Sequence, residues 1–106
     1  MGIKTTIAIQ MDYAKALRQA NELREVANDL NVEAKRIQHE LNSVEGSWKG
    51  ESANQYVHKM TVLYNKTMHT VSRLRDAAST IEDTATRVKK ADERARALAA
   101  GSGRHG

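Results

Sequence analysis

From Tyr13 onward an apolar side chain returns at every seventh residue: Tyr13, Ala20, Ala27, Ala34, Leu41 and Trp48. A second row, Ala16, Leu23, Leu30, Ile37 and Val44, runs beside it. Two rows with a mean spacing of 3.5 residues are the seam of a helix that packs along another helix, and no other regular element keeps such a period. Glu22, Arg24, Glu25, Asp29, Glu33, Lys35, Arg36 and Glu40 fall off the seam, as a solvated face requires. Asp12 is the expected N-cap, and the pattern predicts a first helix from residue 12 to about residue 44.

A second periodic segment runs from about Ser52 to Leu98, and Ser52-Ala53-Asn54-Gln55 has the form of a capping box at its start. Met60, Thr67, Leu74, Ile81, Val88 and Ala95 form one row. Val57, Tyr64, Val71, Ala78 and Ala85 flank it on one side, with Leu63, Thr70, Ala77, Ala91 and Leu98 on the other. Three rows are more than one neighbouring helix can cover, so this face asks for a second partner.

Few residues separate the two segments, and both interior glycines before the tail, Gly46 and Gly50, lie there with the chain's one tryptophan. A connection this short leaves an antiparallel hairpin as the arrangement available. The turn is expected over about residues 45–52. Gly46 is expected to end the first helix in a left-handed conformation, and Gly50 to let the chain reverse. Trp48 continues the first seam past its helix, which places its ring to close the end of the apolar layer, its edge against Val44 and Val57 and one face open.

Outside the hairpin, Ile3, Ile7, Ile9 and Met11 alternate with Lys4, Thr6, Ala8 and Gln10. That two-residue period predicts an extended arm over residues 1–11, either packed or frayed, or crossing onto a partner. Residues 99–106 carry no structural pattern and read as a flexible tail. The chain of 106 residues has no Cys, Pro or Phe and is 40% hydrophobic, with alanine at many seam positions. Its core is therefore thin, and a lone monomer would be marginal. No apolar run is long enough to span a membrane, and no basic-then-apolar leader opens the chain, so neither a membrane span nor a Sec signal peptide is expected.

Trp48-Lys49-Gly50 at the midpoint of about one hundred residues, with helix patterns on both sides and no Pro or Cys, resembles the WXG family of small substrates of bacterial type VII (ESX-like) secretion. The likeness covers about residues 3–98. It implies an all-α fold in which two hairpins dimerise into a four-helix bundle, the partner being an identical chain, a related small protein or the helical domain of a larger effector. It also implies export by a membrane ATPase machine to the cell surface or medium, with no catalytic site and no cofactor. In such a dimer Leu23, Leu30, Ile37, Leu41, Val57, Met60, Tyr64, Val71, Leu74 and Ile81 would line the hairpin or dimer seam. Members of the family carry, or borrow from a partner, a Tyr-x-x-x-Asp/Glu signal after the second helix. The nearest match is Val88 to Asp92, which keeps the acid and lacks the aromatic. Either this is a degenerate signal, or a partner supplies one and Val88 and Asp92 are a seam and a solvated residue.

Other chemistry finds little footing. His39, His58, His69 and His105 lack the helical spacings of metal ligands, so no metal is assigned. No nucleophile elbow or phosphate-binding glycine loop is present, and a narrow hairpin offers little concavity for an enzyme site. Charge gives the alternative reading. Residues 1–50 balance at seven bases and seven acids, whereas residues 51–106 hold ten bases against six acids. Arg87, Lys89, Lys90, Arg94 and Arg96 cluster near the end, as a helix contacting nucleic acid or an anionic membrane surface would have them. Asp92 and Glu93 interrupt that cluster, and no aromatic lies within it for base stacking.

Overall fold

The computed structural model describes residues 6–104 and consists of two helices, α1 (Thr6–Ser47) and α2 (Glu51–Arg104). They form the expected all-α antiparallel hairpin, and the chain reverses over Trp48–Gly50. Packing divides it into two units: the chain up to Glu22 together with the chain from Ala77, and Leu23–Asp76.

Within Leu23–Asp76 the buried positions are Ala27, Ala34 and Leu41 of α1 and Ala53 and Val71 of α2. Leu23, Leu30, Ile37 and Val44, the second row of α1, are only half-buried, as are Val57, Met60, Tyr64, Thr67 and Leu74 of α2. The residues that pack deepest are therefore the small ones. Alanine at the closest positions lets two helix backbones approach, while the larger side chains spread to either side of the contact line and keep part of their surface in water. Arg75 Nη2 donates to Asn28 Oδ1 at 3.1 Å across the two helices. In the other unit Ala20 and Ala78 are fully buried. Tyr13, Ala16, Ile81 and Ala85 are half-buried there. The Lys89 ammonium lies 4.6 Å from the centroid of the Tyr13 ring, a cation–π distance.

Several expected boundaries are corrected. Residues 6–11 are the first turns of α1, so Asp12 is inside the helix instead of capping it, and an extended arm does not exist over these positions. Residues 1–5, including Ile3, lie outside the described residues. The apolar spacing from Ile7 to Met11 suits a helix as well as a strand, and once a long helix is nucleated each added turn costs little. The two-residue reading had put Ile7, Ile9 and Met11 on one side. In the helix Ile9 is half-buried, whereas Ile7 and Met11 are 69% and 66% exposed. At the other end α2 continues to Arg104, so the expected flexible tail is helical over residues 99–104, with residues 105–106 outside the described residues. Ala99 and Ala100 are strong helix formers, and the helix they extend runs on through Gly101.

Gly46 is helical too, and the turn is narrower than expected. The one positive φ among the described residues is at Gly50, at 107°. Ser52 does not cap α2: the helix begins at Glu51, and Gly50 stands at the cap position, its carbonyl accepting from Asn54 N at 3.1 Å.

Candidate recognition surface at the turn

Three side-chain and backbone bonds terminate α1. Trp48 N donates to Val44 O at 2.8 Å, the last bond of helical spacing. Ser47 Oγ donates to Ser43 O at 2.8 Å, and Lys49 Nζ to Glu45 O at 3.2 Å. The ammonium satisfies a carbonyl the helix itself cannot, and it sits at the negative end of the helix dipole. Glu51 occupies the first turn of α2, at that helix's positive end. The three-residue reversal is thus pinned from both sides, which fixes where the tryptophan emerges.

Trp48 is 46% exposed. Its ring stands 5.8 Å from that of Tyr56, centroid to centroid, with the planes inclined at 47°. This is a tilted aromatic pair of the kind favoured by ring quadrupoles. The expected partners of the ring were Val44 and Val57, both half-buried; the ring contact is made by Tyr56, one turn into α2. Sequence reasoning missed Tyr56 because it lies beside the seam rows. The available signal was an aromatic placed just after a tight turn that begins with another. The first turns of α2 also form a shallow groove lined by Gly50, Glu51, Asn54, Gln55, His58 and Lys59, which neither ring lines.

The second candidate feature lies in the other unit. Val88 is 51% exposed, so it is not covered as a seam residue would be. Asp92 is half-buried and its carboxylate is engaged, accepting from Arg96 Nε at 3.1 Å. Lys89 stands 4.0 Å from Glu93 as well as over Tyr13. Two of the five clustered bases, Lys89 and Arg96, are therefore held by groups of the chain itself. An open apolar groove of about 390 Å³ runs beside Val88, between Ile9, Tyr13 and Ala16 of α1 and Ile81 and Ala85 of α2.

The expected seam residues divide by depth. Leu41 and Val71 are buried, while Leu23, Leu30, Ile37, Val57, Met60, Tyr64, Leu74 and Ile81 keep part of their surface open. The third row of α2 is outermost, with Leu63 46% and Leu98 67% exposed. No helix among the described residues is long and apolar enough to cross a membrane. No group of three or more His, Cys, Asp or Glu among them could hold a metal ion.

The family model for proteins of 100 residues with WXG, called WXG100, matches residues 8–93 of the chain. No curated protein and no solved structure matches it.

Proposed function

Because the chain belongs to the WXG100 family, whose members are small, helical, non-enzymatic proteins of type VII secretion, we propose that it is exported by such a system and pairs with a second helical hairpin on the way. The observation that carries this reading is Trp48, a large aromatic left nearly half in water by a turn that backbone and side-chain contacts hold in place. A ring packed only to seal the hairpin would be buried. A firmly held, half-exposed tryptophan paired with a second ring is instead the composition of an interaction anchor. The part of the reading that concerns pairing rests on the half-covered leucine and isoleucine rows, which a second hairpin would bury.

The phosphate-binding alternative has weaker support, since Lys89 and Arg96 are engaged within the chain and Asp92 and Glu93 lie among the bases. On this reading recognition falls to the turn, and the export signal is either the degenerate Val88 to Asp92 stretch or one that the partner supplies.

The test compares Trp48→Ala and Trp48→Phe for thermal unfolding and secreted yield in a host with a working type VII system. Truncating a fully buried tryptophan costs about 3 to 5 kcal/mol; with the ring half exposed, Trp48→Ala is expected to cost about 2 kcal/mol and still fold. Its secreted yield is expected to fall to background, with partial recovery in Trp48→Phe. A Trp48→Ala protein that folds and is exported like the parent would defeat the assignment.

A further inference from the structure

Residues 52–75 of α2 contain Lys59, Lys66, Arg73 and Arg75 and not one Asp or Glu. All of these residues lie within the unit Leu23–Asp76. Arg75 is turned to Asn28 of α1, to which it donates at 3.1 Å. The other three bases are seven residues apart and fall on one line along the helix. They are exposed, and none of them makes an ion pair among the described residues.

This line borders the uncovered apolar row. Lys59, Leu63, Lys66, Thr70 and Arg73 follow one another in steps of four and three, so the bases and the row Leu63–Thr70 are neighbours on the helix surface. Leu63 is 46% exposed. Thr70 is exposed as well, but its Oγ1 donates to Lys66 O at 3.1 Å, so this position needs no polar partner from outside. Inward of the row lie Met60, Thr67 and Leu74, each half-buried. An apolar row with a border of like charges repeating every seven residues is how associating helices choose their partners: the row supplies the contact, and the border rejects helices of the wrong sign.

A second copy offers this face two helices. Its α2 would bring lysine and arginine against lysine and arginine. Its α1 carries Glu25, Asp29, Glu33, Glu40 and Glu45 in this unit, but only Glu33 and Glu40 stand seven residues apart, and Lys35, Arg36 and His39 lie among them. Glu33 already accepts from Arg36 at 3.2 Å, an exposed pair that a partner's base would have to share. Neither helix sets three acids in succession at the spacing of the bases.

We infer that Lys59, Lys66 and Arg73 select as partner a helix of a different chain, one whose apolar row is bordered by Asp or Glu at every seventh residue. The inference rests on the reading that the protein pairs with a second helical protein, and it names the chemistry of that partner.

Three synthetic four-heptad peptides test it. They share one apolar row and differ at its border, which carries Glu, Gln or Lys. Each bears a fluorophore, and binding to the full-length protein is followed by anisotropy. The Glu peptide is expected to bind about tenfold more tightly than the Gln peptide, the Lys peptide least, and the preference to shrink between about 50 and 500 mM salt. The triple variant Lys59→Gln, Lys66→Gln, Arg73→Gln changes only exposed side chains. With its helical circular dichroism intact, it should lose the preference, and the triple change to Glu should transfer it to the Lys peptide. Equal binding of the three peptides would overturn the inference. So would a stable dimer of the protein alone that the Glu peptide does not open, or tighter binding to duplex DNA or to anionic phospholipid vesicles than to the Glu peptide. Because secreted yield is measured separately, a chain that is exported but shows no peptide preference would refute this partner chemistry and leave the secretion reading standing.

Discussion

Gly46 and Gly50 stand four residues apart and place opposite demands on the backbone. Gly46 lies in the last turn of α1 with helical dihedrals, and a Cβ added there would meet nothing within 4 Å. Glycine weakens a helix because it has more freedom to lose, so Gly46→Ala is expected to stabilise the protein by about 0.5 kcal/mol. Gly50 has equally open space around it, but its φ is +107°. There Gly50→Ala is expected to destabilise by about 1 to 2 kcal/mol through backbone strain alone. Urea unfolding of the two single variants checks the pair, and two shifts of the same sign would contradict the turn geometry. The sequence made both glycines visible but not their division of labour. Residue identity shows that a turn is possible, whereas helix propagation up to the last satisfied carbonyl decides which glycine uses it.

At the scale of the element, the seven-residue rows of both helices were legible because they are set by which side chains must leave water. Depth within the seam was less so. Ala20, Ala27 and Ala34 are fully buried while Leu23, Leu30 and Ile37 are not, an order that hydrophobicity alone reverses. The reason is geometric: at these three positions the contact line between the helices has room for little more than a methyl group. Ala27→Leu should therefore destabilise by about 1 to 3 kcal/mol through overpacking, despite adding apolar surface. Val32→Leu, at a position that is 51% exposed on the same helix, should change stability by less than about 0.5 kcal/mol. Thermal unfolding of the two variants side by side measures the contrast. The helix ends were the least legible feature, because the Ile7–Met11 spacing satisfies two periods and nothing in the local sequence chooses between them until the long helix behind it does.

For the molecule as a whole, the question is what keeps so thin a core folded. Among the described residues the largest fully buried side chain is Val71, and the other buried residues are mostly alanines, each removing little area from water. Against this stands the conformational entropy of two long helices, which such burial does not comfortably exceed. The periodicity of α2 alone calls for a partner, since its third apolar row has no neighbour within one hairpin to cover it. Tyr56, by contrast, was not legible, because a ring contact across a turn depends on the turn's dihedrals. If the uncovered rows are an association surface, whatever binds them stabilises the folded chain by mass action. The unfolding midpoint should then rise with the concentration of a helix that docks on it, and light scattering should show the mass of the complex rising in step. Below the association range the transition should broaden, as a core without fixed packing loses cooperativity. A sharp transition whose midpoint is unmoved by an added docking helix would mean that the alanine seam alone suffices for the 11.8 kDa monomer, and the half-exposed leucines would then be surface rather than interface.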